Sequence, residues 1–265
     1  MSQILVIAGT AEATNIINKL LEINVGVIAT VTTRLGSDLL KNIKRLHIYE
    51  GRMTQKNLSD LIIQNDIICI IDASNPFATD ISQNAVSVCK KNKILYSRFE
   101  REETLIQGED IIRVKSHEEA LERLLTLQGN IMLTLGSGKI DIFTKIPNYK
   151  ERVFLRLLPD GKVISKCEKL GFNAKNLIAI KGPFAEELNI QLLKYCNASV
   201  LVTKESGNTG GTIEKINAAR VLNIPVIMID RTQIEYENKV TSVEEMICFV
   251  KTIQSSYRNE NIEVG

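Results

Sequence analysis

Five short stretches in this 265-residue chain set glycine or proline beside hydroxyl, amide or charged side chains just after an apolar run. They are Gly9-Thr10-Ala11-Glu12, Asp72-Ala73-Ser74-Asn75-Pro76-Phe77, Gly136-Ser137-Gly138-Lys139, Lys181-Gly182-Pro183-Phe184 and the loop "KESGNTGGTIEK" at 204–215. Glycine lets a backbone approach a ligand closely, and the free amides that open a following helix attract phosphate or carboxylate oxygens. The chemistry such corners suit is the binding of nucleotides and other anions. Counting from Gly9, a dinucleotide fingerprint would continue with two more glycines where Ala11 and Thr14 stand. The first corner alone therefore fits a phosphate cradle and a plain tight turn equally well.

The remaining corners sharpen that reading. The 204–215 loop carries Ser206, Gly207, Thr209, Gly210, Gly211 and Thr212 between a strand and a helix, the richest anion-binding pattern in the chain. It resembles a P-loop only in part, because Thr212-Ile213 follow Gly211 where Lys-Ser/Thr would be needed. After the apolar run "VGVIATV", Thr32-Thr33-Arg34 stand where an NAD-specific site places an acid for the ribose. Thr33 and Arg34 thus lean towards NADPH, although an arginine on a solvated loop has the same look. Pro76 fixes the chain direction and holds Asn75 extended, which suits a floor for a planar ligand or a helix entry capped by Asp72, Ser74 or Thr79. Lys139, Lys181 and Lys204, each beside a glycine corner, are candidates to converge with Arg156 on one anionic ligand, and each alone reads as a surface charge.

Composition removes other classes. Lys and Arg number 33 against 31 Asp and Glu, a net charge of +2, and tryptophan is absent, so neither a nucleic acid nor a membrane surface is an expected partner. Cysteines 69, 89, 167, 196 and 248 are never closer than 20 residues, which excludes a thiolate metal knuckle and a C-x-x-C pair. They read as free thiols of a reducing cytoplasm. Two histidines, His47 and His117, make no ligand pair, and no metal is expected. Neither an export signal nor an apolar run of about 20 residues is present, so the expected location is the cytoplasm.

The elements that must position these corners alternate. Apolar runs at 4–7, 25–33, 67–74 and 94–99, with a shorter one at 45–51, are separated by helical patterns such as 54–65 and 78–92. Strands apolar on both faces, alternating with helices, specify a parallel sheet covered on both sides. The grammar restarts at "IMLTLGSG" after residue 130 and repeats to "IPVIMID". The expected fold is α/β, two Rossmann-like parallel-sheet domains in series with a cleft between them, although a single wide sheet is also compatible. The expected boundaries are 1–128 for a cofactor-binding domain, 129–255 for a domain completing the cleft, and 256–265 for a polar, frayed tail.

Taken in order, "ILVIAGTAEA", "YEGRMT", "DASNPFATDISQNAVSVCK", "SRFERE", "LTLGSGKI", "IKGPFAEELN" and "VTKESGNTGGTIEKINAARVLNIPVIMI" resemble the precorrin-6A reductase family of cobalamin biosynthesis, over residues 4 to about 230. The resemblance implies a reduced nicotinamide cofactor, NADPH or NADH, and reduction of one double bond of a corrin-precursor tetrapyrrole, with a lean towards the cobalt-containing form. It implies transient contacts with neighbouring pathway enzymes. It also implies that Gly9, Thr10 and parts of 206–212 touch the cofactor, while Asn75, Pro76, Phe77, Gly136 and Ser137 border the active cleft. Family members commonly carry histidine before the proline; Asn75 stands there and cannot titrate near neutrality. The substrate bears many carboxylates, and Arg34, Arg52, Arg98, Arg101, Lys139, Lys181 and Lys204 are candidates to hold them. Two alternatives stay open: another NAD(P)-dependent reductase of a small anionic substrate, and a non-catalytic bilobed binding protein. A short-chain reductase is disfavoured because none of the six tyrosines has lysine four residues on.

Overall fold

A computed structural model describes residues 3–103, 106, 108–207 and 210–262. Its first strand shows why the sheet is buried on both sides. In β1 (Gln3–Ile7), Ile4 and Val6 enter one apolar cluster while Leu5 and Ile7 enter another on the opposite face. Alternate residues of a strand point to opposite faces, so a run without polar residues needs cover on each. Helix α1 (Ala11–Glu22) covers one face with Ala13, Ile16, Ile17 and Leu20. Helices α3 (Gln55–Gln64) and α4 (Thr79–Asn92) cover the other through Leu58, Ile62, Ala85 and Val88. Each fully buried aliphatic side chain of this kind contributes roughly 1.5–3 kcal/mol.

The first unit continues with β2 (Gly26–Val31), α2 (Arg34–Leu40), β3 (His47–Glu50), β4 (Ile67–Asp72) and β5 (Leu95–Phe99). The chain then builds a second unit from β6 (Ile111–Val114), α5 (His117–Leu125), β7 (Asn130–Leu133), α6 (Tyr149–Arg152), β8 (Val153–Leu157), α7 (Gly161–Lys169), β9 (Leu177–Ala179), α8 (Glu186–Tyr195), β10 (Ala198–Lys204), α9 (Thr212–Val221) and β11 (Val226–Ile229). It returns to the first unit with β12 (Lys239–Val240) and α10 (Val243–Ile262).

The sheet orders are β3-β2-β1-β4-β5-β12 and β9-β8-β7-β10-β11-β6, with every pairing parallel. The first is the 3-2-1-4-5-6 order of dinucleotide-binding folds. The second repeats it, except that its last place is filled by a strand arriving from earlier in the chain. Two Rossmann-like sheets were expected and are present. The division of the chain differs from the expected 128/129 boundary: residues up to Glu102 and from Gln233 onward form one unit, and Glu103–Thr232 the other. The reason is pairing. Residues 111–114 join β11, and Lys239 and Val240 pair with Arg98 and Phe99. Helix α10 runs on to Ile262, into the segment expected as a tail, and ahead of that segment buries Met246, Val250 and Ile253 in the first core. Among the described residues, no helix is long and apolar enough to cross a membrane.

Candidate functional site

In an open parallel sheet, ligands bind beyond the carboxyl ends of the strands where strand order reverses. That point lies between β1 and β4 in the first sheet and between β7 and β10 in the second. Four of the five glycine- or proline-bearing corners named above follow strands β1, β4, β7 and β10, and so flank one switch point or the other.

In the first unit, Gly9 adopts φ +139°, and a Cβ built on it would meet nothing within 4 Å. The position demands glycine for its backbone and leaves open space at the corner. Thr10 caps α1, its hydroxyl accepting from the Ala13 amide at 3.1 Å and donating to the Ala73 carbonyl at 2.9 Å. Its single proton thus ties the β1 corner to the β4 corner. Ala11 opens α1 directly behind it. Thr33 caps α2 by accepting from the Gly36 amide at 3.2 Å, and Arg34 stands exposed in the first turn.

The β4 corner rests on a buried polar network. Asp72 and Arg98 pair at 2.8 Å with side-chain exposures of 0% and 1%. Asp72 also accepts from the Ser74 amide at 3.0 Å and from the Tyr96 hydroxyl at 2.9 Å. Arg98 donates to the Ser74 hydroxyl at 3.2 Å and lies over the Tyr236 ring. Arg98 was a candidate substrate ligand; its burial gives it instead the task of holding this corner. Arg101 pairs with Glu12 at 3.0 Å, and Arg52 with Asp80 at 2.7 Å. Asn75 accepts from the Phe77 amide at 3.0 Å, so its side chain shapes the turn that presents Pro76 and Phe77.

The second unit uses the same brace. After β10, Glu205 is fully buried, pairs with buried Arg231, and accepts from the Gly207 amide at 2.9 Å. Ser206 donates its amide to the Thr212 hydroxyl at 3.1 Å, which folds the loop back onto α9. Gly210 admits no Cβ, which would lie 2.2 Å from that of Ser206. Gly211, at φ +66°, lies against Pro183, so the 181–184 corner abuts this loop. Thr209 lies outside the described residues. After β7, Gly136 at φ +75° faces open space, and Lys166 donates to the carbonyls of Ser137 and Gly138 at 2.8 and 3.2 Å.

Charge gathers at these ends. Lys204 is pushed down to about 8 by burial and by Lys139, whose ammonium sits 3.8 Å from Glu118. Arg156, brought down to about 10 by burial, donates to Asn189 at 2.8 Å and lies over the Phe184 ring. Lys181 is exposed. Sequence reasoning passed over Asp72 as a structural acid, and also Glu205, Arg231 and Lys166, because their partners are distant in sequence. An acid closing an otherwise apolar strand was the available signal for Asp72.

The comparisons with known proteins agree with this architecture. A family model described as Precorrin-6x reductase CbiJ/CobK matches residues 3–251. The cobalt-precorrin-6A reductase of Priestia megaterium is 35% identical over 246 residues, covering 92% of this chain and 96% of that one. The protein of the same description from Methanothermobacter thermautotrophicus is 37% identical over 241 residues, covering 89% and 78%. A solved structure, CobK precorrin-6A reductase, shares the fold with a TM-score of 0.78 at 24% identity, covering 95% and 97%.

Proposed function

The chain belongs to the precorrin-6x reductase family, and from that premise we propose that it reduces one double bond of cobalt-precorrin-6A with NADPH, in the cytoplasm. Reduction of a precorrin macrocycle in cobalamin biosynthesis is the reaction of the family; the cobalt form and the choice of NADPH over NADH are the specific parts of the reading. The two relatives named above carry the cobalt substrate in their descriptions, which supports the first. Arg34 following Thr33 at the end of β2, with no acid there, supports the second, since a guanidinium matches a 2′-phosphate.

The first unit fits a dinucleotide. Open space at Gly9 and the amides of α1 behind Thr10 and Ala11 form a cradle that a Cβ would fill. The loop of Ser206, Gly207, Gly210, Gly211 and Thr212 is also assigned to the cofactor: the amides of Ser206, Gly207 and Gly210 fold the loop, and the start of α9 at Thr212 offers the helix-terminal amides to anionic oxygens. When bound, the nicotinamide supplies hydride to the macrocycle. The protein's own residues bind and orient: Lys139, Lys181 and Lys204 take carboxylates, while Ser74, Asn75, Pro76, Phe77, Gly136 and Ser137 give the macrocycle rigid edges. Positioning of this kind needs no nucleophile.

The observation that carries the reading is the Gly9–Thr10 corner at a sheet switch point in a chain of this family. Its test is anaerobic mixing of purified protein with cobalt-precorrin-6A and either NADPH or NADH. Oxidation of NADPH in step with macrocycle reduction supports the reading; faster turnover with NADH contradicts the cofactor assignment.

A further inference from the structure

Tyr236 precedes β12 on the segment that returns the chain to the first sheet. Its register is fixed, because the Arg98 amide donates to the Asn238 carbonyl at 2.8 Å and Lys239 pairs with Arg98. Glu235 and Glu237 on either side are exposed, while the Tyr236 ring turns inward. It stacks on the Tyr96 ring with centroids 5.9 Å apart, and the Arg98 guanidinium lies over it, 5.7 Å from its centroid. Tyr96 and Arg98 are alternate residues of β5, so they share a face of the sheet, and both donate to the Asp72 carboxylate. One ring thus covers the two side chains that hold Asp72.

That cover matters because the guanidinium has two acids within reach. Its Nη1 meets Asp72 at 2.8 Å and the Ser74 hydroxyl at 3.2 Å, whereas its Nε makes no hydrogen bond and stands 3.6 Å from a Glu100 carboxylate oxygen. A small swing would exchange the bond to Asp72 for one to Glu100. An aromatic face attracts the planar guanidinium and so opposes that swing, and the second ring stacked behind it keeps the face in place. We propose that Tyr236 is a positioning residue for macrocycle reduction: by holding Arg98 on Asp72 rather than on Glu100, it keeps the Ser74–Phe77 corner in the shape that presents Pro76 and Phe77. The hold on the corner stands on these contacts alone; that the corner edges the macrocycle rests on the functional reading above.

Comparing Tyr236→Phe with Tyr236→Leu in the full chain tests this. Phenylalanine keeps the aromatic face and the stacking, and leucine fills much of the space with neither. Hydrogen exchange of the Ser74 amide, which donates to Asp72, should be native-like in Tyr236→Phe and about tenfold faster in Tyr236→Leu, with the amides of β1 still protected. In anaerobic turnover, Tyr236→Leu should lower kcat/KM for cobalt-precorrin-6A about tenfold and leave the Kd for NADPH unchanged, while Tyr236→Phe should keep the native values. Tyr236→Met, also without an aromatic face, makes the same comparison should Tyr236→Leu lose the protection of β1. Equal Ser74 exchange in the aromatic and aliphatic variants, or equal kcat/KM, would overturn the assignment. If the native chain does not reduce cobalt-precorrin-6A, the functional reading fails, and the exchange comparison still decides whether Tyr236 holds the corner.

Discussion

Asp72 and Arg98, paired at 2.8 Å at the carboxyl end of β4, have a counterpart in Glu205 and Arg231 just beyond β10. In both cases the arginine comes 26 residues after the acid, at or just beyond the end of the next strand in the sheet. In both, the acid also accepts the backbone amide two residues on, that of Ser74 or of Gly207. Each switch point is thus braced by a buried carboxylate that holds a corner from below and is neutralised from the adjacent strand.

Breaking one half of such a pair leaves the other charge buried. Arg98→Met should destabilise the protein by about 3–5 kcal/mol. Denaturant unfolding of Arg98→Met, Asp72→Asn and the double variant checks this. The double variant should recover a large share of the loss, and a native-like midpoint for Arg98→Met would show that the pair does not hold the corner.

Gly9→Ala separates cofactor binding from folding. The open space means the added methyl meets no protein atom, so the cost to stability is the backbone strain of a positive φ, about 1–3 kcal/mol. Affinity for NADPH should fall about tenfold or more, as the methyl stands where the dinucleotide approaches. Fluorescence titration beside a thermal melt distinguishes the two effects.

Arg34→Asp places an acid where a ribose-recognising one would stand. The ratio of kcat/KM for NADPH to that for NADH should drop about tenfold or more, largely through KM for NADPH. An unchanged ratio would remove Arg34 from the site.

Much of this was legible in the chain. The strands carrying the corners are apolar on both faces and stand out as unbroken runs, and the helical pattern at 54–65 is α3. What sequence reading missed is short or long-range. Strands β6 and β12 span four and two residues, too few for a period to show. They alone decide that the units exchange their last strands. The buried acids and their arginines were each visible, but a pairing across 26 residues is a property of the sheet, not of any local pattern.

His117 predicts a pH dependence of stability. Burial, and then Lys204 and Lys139, push it from 6.5 down to about 4. Its folded pKa is below the unfolded one, so the unfolded chain binds the proton first as pH falls. Its contribution is fully present above about 6.5 and is lost between there and about 4, up to roughly 3 kcal/mol. His117→Gln should flatten the stability profile across that window, and a slope unchanged by the substitution would contradict the assignment.

Central to the proposed function is a nicotinamide held at the Gly9 corner that reduces a corrin precursor. The most direct measurement is a single-turnover reaction of the purified chain with cobalt-precorrin-6A and NADPH in the absence of oxygen, run beside Gly9→Ala. One NADPH consumed per macrocycle reduced, with the variant slowed at low cofactor and rescued at high, is the predicted result. Macrocycle reduction that proceeds equally in Gly9→Ala at low cofactor, or no NADPH consumption by the native chain, would contradict it.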